Sequence, residues 1–154
     1  MAGYIEYLDI GITPAKHHLA LIEYLEAVER GDIPRLMIFL PPGSAKSTYA
    51  SMIFPAWYLG RHPKKNVIAA SHSAELAERF GRRVRGLYSA SEHQRVFNAG
   101  VSKESAAAGR WSTSEGGEYF AAGAGAGIAG FRADLGIIDD PFRNREDAGL
   151  GDDA

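Results

Sequence analysis

The residues best suited to chemistry lie in a short loop after an apolar run. The run Arg35–Leu40 is predicted to be a strand, and the loop that follows contains Gly43, Lys46 and Ser47. Backbone N–H groups in a loop of small residues can converge on phosphate oxygens, above all where a helix begins. A lysine can reach the β- and γ-phosphates of a nucleotide, and a hydroxyl can bind Mg²⁺. The pattern therefore predicts a nucleotide phosphate-binding loop.

This loop departs from the common P-loop pattern at two positions. Leu40 stands where the first glycine belongs, and Ala45 stands where the glycine before the lysine belongs. A plain connection between a strand and a helix is therefore the alternative for this stretch. The residues predicted to contact the nucleotide are Pro42, Gly43, Ser44, Ala45, Lys46, Ser47 and Thr48.

Two acidic residues follow a second apolar run. The predicted strand Leu135–Asp139 is followed by Asp140 and Pro141, and ligands of open α/β sheets bind at the carboxyl ends of parallel strands. In a Walker B interpretation, Asp139 holds Mg²⁺, directly or through water, and Asp140 orients and deprotonates the attacking water. Taken alone, a strand ending in an Asp-Asp-Pro turn is the simpler interpretation. Because both motifs occur in the order that the chemistry requires, together they favour binding and hydrolysis of ATP or GTP.

Four segments carry a family resemblance. They resemble the ATPase half of the large terminase subunit of tailed bacteriophages, over a region from about Ala15 to Asp147. That family departs from the common P-loop at the same positions, and it often has the Asp-Asp-Pro ending. The segments are Pro41–Thr48, Phe54–Arg61, Gly125–Gly130 and Ile137–Pro141.

The resemblance implies a fold, a reaction and partners. The fold would be α/β, a P-loop NTPase with a mainly parallel sheet flanked by helices. The activity would be ATP hydrolysis with Mg²⁺, coupled to translocation of double-stranded phage DNA into the prohead in the host cytoplasm. The partners would be DNA, the small terminase subunit, the portal of the prohead and further copies in a ring. The alternatives are a helicase-like DNA-stimulated ATPase and a truncated nucleotide-binding remnant without turnover.

The resemblance also implies that residues 1–154 are the amino-terminal part of the ATPase domain, without the nuclease domain. In such ATPases a later strand lies between the two strands that carry the Walker motifs, and the chain ends soon after Asp140. The sheet is therefore expected to be incomplete at its C-terminus. The parent protein is expected to be an enzyme, and the 154-residue chain a weak or inactive one.

Further candidate residues each have a competing interpretation. Arg132 would act as an arginine finger on a neighbouring subunit or form a surface salt bridge with Asp134. The arginines in the range 79–85 would contact DNA phosphates or cover a solvated helix face. His17 and His18 lie where related motors contact adenine, but a solvated pair on a helix face is the favoured interpretation.

Composition sets broad limits on the protein. A chain of 154 residues with 45% hydrophobic content has the size and apolar fraction of one globular domain. The absence of cysteine excludes a disulfide framework and a thiolate metal site. A net charge of −2 argues against general binding of polyanions. No apolar run reaches membrane-spanning length.

The remaining sequence predicts the elements that must position these residues. Thr13 and Pro14 are expected to begin the first helix, and Gly31 to end it. Ser71–Ser73 should cap a later helix, and the region Glu104–Gly130 should form a β-ribbon with a flexible tip. The predicted helices and strand are Ala15–Arg30, Lys46–Leu59, a helix from the Ser71–Ser73 cap through about Tyr88, and the strand Asn66–Ala70.

Overall fold

The structure is a computed structural model that describes residues 1–107 and 109–143. Within these residues, helices precede and alternate with the strands of one sheet. The helices are α1 (Ala2–Leu8), α2 (Lys16–Arg30), a π-helix (Thr48–Ile53), α3 (Phe54–Arg61), α4 (Ala74–Ser89) and α5 (Ser91–Phe97). The strands are β1 (Asn66–Ser71), β2 (Val101–Ala106), β3 (Arg110–Thr113), β4 (Glu118–Gly123) and β5 (Leu135–Ile138).

The sheet has the strand order β2-β3-β4-β1-β5 and mixed direction. β1 runs parallel to β4 and β5, with Val67 aligned with Tyr119 and with Leu135. The pairs β2–β3 and β3–β4 are antiparallel. The fold is thus α/β, and the expected parallel sheet is found only in part, because two of the four strand pairs are parallel. The reason is that the predicted β-ribbon forms and joins its antiparallel strands to this same sheet.

The run Arg35–Leu40, predicted to be a strand, is not one. It has no regular secondary structure, and Met37 and Phe39 expose 79% and 83% of their surface. Among the described residues no ladder hydrogen bond joins this run to β5. A cavity of about 850 Å³ lies between them, whereas paired strands must approach to about 4.8 Å. Consequently the outer edge of β5 has no neighbouring strand within residues 1–107 and 109–143, and Ile138 is 74% exposed.

Helices α3 and α4 pack against the sheet and against each other. The N-cap of α4 is Ser73, whose hydroxyl accepts a hydrogen bond from the Leu76 N–H (3.3 Å), so the predicted cap and helix are confirmed. At the start of α4 the backbone touches the end of β4, because a Cβ on Gly123 would lie 2.4 Å from the Ala74 nitrogen. The largest fully buried side chains are Trp111, Tyr49, Tyr88, Tyr119 and Phe54.

The first predicted helix is confirmed, but its cap is different. α2 begins at Lys16 with Ala15 as N-cap, and the His18 side chain accepts a hydrogen bond from the Ala15 N–H. Thr13 is therefore not the cap, because a residue inside the first turn supplies the acceptor. Gly31 ends the helix in a left-handed conformation (φ 82°), as predicted.

Helix α1 was not predicted, and it packs on α5. A hydrogen bond of 2.7 Å joins Tyr4 Oη and His93 Nδ1, and both side chains are buried. The predicted strand at Asn66–Ala70 is confirmed as β1. The predicted helix after the loop continues through the π-helix and α3 to Arg61. In the described part of the chain, no helix combines the length and the apolar character needed to cross a membrane.

Candidate active site

The loop 41–48 is shaped by two residues with left-handed backbone. Gly43 has φ 81° and Ala45 has φ 57°, and the Ser44 N–H donates to the Pro41 carbonyl (3.2 Å). Glycine adopts this conformation without strain, whereas for alanine it costs about 1 kcal/mol or more in conformational free energy. The common P-loop pattern has glycine at the position of Ala45. The structure therefore keeps the backbone shape that favours glycine although the residue is different.

The helix after the loop contains an unusual π-helical segment. Pro55 has no N–H to donate to Ser51, and its ring would crowd the Ser51 carbonyl in a regular α-helix. The turns just before this proline are π-helical, and the Phe54 N–H donates to the Tyr49 carbonyl, five residues back. Single π-helical turns are frequent at functional sites. Here the π-helix carries Ser51, whose side chain reaches the second predicted motif.

Asp139 is a buried carboxylate with two partners from this helical segment. It is 7% exposed, and its Oδ2 accepts a hydrogen bond of 2.7 Å from Ser51 Oγ. Its Oδ1 lies 3.5 Å from Lys46 Nζ. A buried charge is tolerated when it is paired and hydrogen-bonded. The fold therefore brings together the lysine of the first motif and the first acid of the second.

Asp140 lies beside it with different surroundings. Its side chain is 68% exposed, and its backbone is left-handed (φ 53°), which aspartate tolerates better than most residues. Both the N–H and the Nδ1 of His72 lie 3.0 Å from the Asp140 carbonyl oxygen. His72 therefore fixes the backbone immediately after β5.

One cavity joins these residues. It has a volume of about 460 Å³ and is lined by residues 40–48 together with Asp139 and Asp140. The structure thus places the whole predicted nucleotide-contacting set, Pro42 to Thr48, opposite the two predicted acids. The binding of a nucleotide by Ser47 and its neighbours, and the separate roles of the two acids, stay predictions.

Arg132 lies apart from this cavity. It is exposed and precedes β5, whereas the two acids follow the carboxyl end of that strand. No ion pair joins Arg132 to Asp134 in the described part of the chain. Instead the Asn66 N–H and the Lys65 ammonium contact Asp134 (2.9 and 3.0 Å), and they hold the pKa of its carboxyl below the usual range. The salt-bridge alternative is wrong, and a role on a neighbouring subunit stays a prediction.

Sequence reasoning missed two side chains of this region, Ser51 and His72. It named His18 as a candidate, and the structure shows that His18 Nε2 contacts the Ser44 carbonyl oxygen at 2.9 Å. The favoured interpretation of His17 and His18 as a solvated pair is wrong for His18, although His17 is exposed. One signal was available, since Ser51 lies four residues, about one helical turn, after Ser47. No signal in the sequence placed His72 beside these loops.

Comparison with known proteins identifies the family. No curated protein and no solved structure matches the chain significantly. The family model for the N-terminal part of the large terminase subunit, of the T4-like virus type, matches residues 37–150. The match includes the loop, both acids and every strand of the sheet. Since it covers most of the chain, this protein belongs to the family of T4-like terminase large subunits and corresponds to their N-terminal region.

Proposed function

We propose that this chain is the ATPase segment of a phage terminase large subunit, in which ATP hydrolysis drives DNA into the prohead. The observation that carries the proposal is the contact between Lys46 and the buried Asp139, at 3.5 Å, beside the loop 41–48. These residues come from motifs about ninety positions apart, and each has the type that nucleotide chemistry requires. Membership of the terminase family supports a role in DNA packaging.

Lys46 would change partners when a nucleotide binds. Its ammonium now faces Asp139, and the β- and γ-phosphates of ATP would offer it a larger negative charge. The N–H groups of the loop would contact phosphate oxygens, and the helical segment that begins at Thr48 would add its positive end. The loop thereby binds the phosphate chain and offsets its charge.

The residues also fit a Mg²⁺ ion of the kind that accompanies nucleotides. Asp139 and Ser47 would hold it, and the ion would neutralise charge on the phosphate oxygens. Across the described residues no group of three or more His, Cys, Asp or Glu side chains could hold a metal ion. A site with one carboxylate suits Mg²⁺, which usually keeps several waters and binds phosphate oxygens as well. Ser51 would hold Asp139 in orientation through the hydrogen bond to its second oxygen.

Asp140 would act on the attacking water. Its carboxylate is exposed at the cavity, where it can accept a proton, and the contacts of His72 with its carbonyl fix its backbone. General base catalysis of this kind contributes about 10²- to 10⁴-fold. Arg132 would stabilise the transition state only from a neighbouring copy, because it lies away from the cavity of its own chain.

The same proposal includes DNA, the small terminase subunit, the portal and a ring of copies as partners in the host cytoplasm. Arg79, Arg82 and Arg83 are exposed on α4 and would contact DNA phosphates. However, Arg82 also pairs with Glu78 at 3.7 Å. The solvated-face interpretation of this helix therefore stays open.

One observation favours the second candidate, nucleotide binding without turnover. Arg35–Leu40, which leads into the loop, is not paired with β5, which leads into the two acids. The loop and the acids are therefore not joined by a continuous sheet. Displacement of a catalytic group by about 1 Å can lower the rate of the chemical step about a hundredfold, so such a site could bind a nucleotide without hydrolysing it.

Two measurements on the 154-residue chain with Mg²⁺ test the proposal. They are calorimetry of ATP binding and an assay of phosphate release. Lys46→Ala should abolish most ATP binding, whereas Lys64→Ala, which removes an exposed lysine away from the cavity, should leave it unchanged. Binding together with phosphate release supports the ATPase, and binding alone supports the second candidate. Equal ATP affinity of the Lys46→Ala variant and the unmodified chain would contradict the phosphate-binding loop.

A further inference from the structure

His18 connects helix α2 to the loop through both nitrogens of its ring. A backbone N–H can only donate, so His18 Nδ1 accepts the hydrogen bond from Ala15 N (3.0 Å) and is unprotonated. Nε2 then carries the proton and donates to the Ser44 carbonyl at 2.9 Å. The two contacts define one neutral tautomer. They join the start of α2 to a loop 26 residues away.

The orientation of the ring is fixed by a buried neighbour. His18 stacks on Tyr49, with ring centroids 4.3 Å apart and planes 22° apart. Tyr49 is fully buried and lies in the π-helix, and its N–H donates to the Ala45 carbonyl (3.2 Å). His18 therefore contacts the chain on both sides of Lys46, at Ser44 and at Tyr49.

The contact with Ser44 determines where the next N–H points. The Ser44 carbonyl and the Ala45 N–H belong to one planar trans peptide, so they point in opposite directions. His18 binds the carbonyl but does not line the 460 Å³ cavity, whereas Ser44 and Ala45 do. Among the residues that the structure describes, the Ala45 N–H has no protein acceptor.

We propose that His18 is a positioning residue of the loop: it holds the Ser44 carbonyl and so keeps the Ala45 N–H directed away from α2, toward an oxygen of the nucleotide phosphate chain. This inference rests on the proposed function, because the ligand is a phosphate of ATP. His18 itself touches neither the phosphate nor the reacting atoms.

Two substitutions separate the link to Ser44 from the cap on α2. In His18→Gln, the amide oxygen can accept from the Ala15 N–H and the amide nitrogen can donate to the Ser44 carbonyl. In His18→Glu, the carboxylate keeps the cap but has no donor for Ser44. Ala20→Glu adds the same negative charge at an exposed position of α2 and serves as the charge control.

Calorimetry should show that His18→Glu weakens Mg²⁺-dependent ATP binding about tenfold, whereas His18→Gln and Ala20→Glu stay within about threefold of the unmodified chain. Hydrogen–deuterium exchange without nucleotide gives a second readout. Exchange in residues 41–49 should be about three- to tenfold faster in His18→Glu than in His18→Gln, with similar thermal unfolding of the two variants.

Equal rates of amide exchange in residues 41–49 of His18→Gln and His18→Glu would overturn the inference. An equal loss of ATP affinity in His18→Glu and Ala20→Glu would overturn it as well. The failure of the proposed function looks different. In that case the unmodified chain would bind no ATP, while exchange would still separate the two His18 variants and would confirm the link between His18 and the loop.

Discussion

At the scale of single residues, the candidate site depends on backbone conformations that are unusual for their residue types. Ala45 and Asp140 both have positive φ, and both line the cavity of about 460 Å³. Aspartate tolerates this conformation, but alanine does not do so without cost. The loop therefore stores strain at the residue that precedes Lys46.

Replacing Ala45 with glycine should relieve this strain. The left-handed conformation costs alanine about 1–2 kcal/mol, whereas glycine loses more entropy than alanine when the chain folds. The first effect is larger, so Ala45→Gly should raise the free energy of unfolding by about 0.5–1 kcal/mol. Urea denaturation measures this change. The control, Ala20→Gly in the exposed face of α2, should lower stability by about 1 kcal/mol. Similar destabilisation by both variants would contradict the backbone assigned to residue 45.

The two acids should respond differently to the same substitution. Asp139→Asn removes the charge that faces Lys46 and would hold Mg²⁺, so Mg²⁺-dependent ATP binding should weaken about tenfold or more. Asp140→Asn keeps the size and the left-handed backbone but loses the base, so ATP binding should persist while phosphate release falls by about 10²-fold or more. If both variants lost binding to the same extent, the assignment of separate roles would be wrong.

At the scale of elements, packing of α1 on α5 introduces a buried titratable group. His93 is fully buried between Tyr4, Tyr88 and Phe97, and its Nε2 has no hydrogen-bond partner among the described residues. Burial lowers the pKa of His93 to about 4. Packing of these two helices therefore favours the neutral form of His93.

The depressed pKa of His93 gives stability a defined pH dependence. The unfolded chain binds a proton at His93 below about pH 6.5, but the folded chain does so only near pH 4, so stability falls as the pH drops through this window. The loss should be about 2 kcal/mol between pH 7.5 and pH 5. Urea denaturation at both values should show that Tyr4→Phe/His93→Phe removes this part of the loss, whereas His17→Gln keeps it. An unchanged loss in the double variant would assign it to other groups.

At the scale of the whole molecule, the sheet has an exposed edge beside a cavity. Phe39 and Ile138 are largely exposed, and the outer edge of β5 has no neighbouring strand in the described residues. Unpaired edges with apolar side chains pair with other chains. The isolated chain is accordingly expected to be marginally stable and prone to association.

A charge on this edge should reduce the association. Ile138→Lys places an ammonium on the exposed side of β5, and sedimentation analysis should show a larger monomer fraction than for the unmodified chain. Val96→Lys replaces an exposed apolar residue of α5, away from the edge, and should leave the distribution unchanged. A monomeric unmodified chain at all concentrations, or equal effects of both variants, would contradict association through the edge.

The amino-acid sequence alone determined the features that depend on near neighbours. The spacing of apolar residues and the capping residues predicted α2, α4, β1 and β5, the strand that leads into the two acids. These signals act over a few residues. Short motifs also predicted the loop and both acids, and the structure places them around one cavity. Their roles in nucleotide chemistry stay predictions.

Only the tertiary structure decided which distant residues meet. Ser51 contacts Asp139 across 88 residues and His18 contacts Ser44 across 26, and no local pattern encodes such distances. The same holds for Arg35–Leu40, whose sequence favours a strand. A strand needs a partner at hydrogen-bonding distance, and the part of the chain that the structure describes supplies none for this run. Local sequence sets the conformation that a segment favours, whereas packing of the whole chain decides whether its backbone groups and polar side chains find partners.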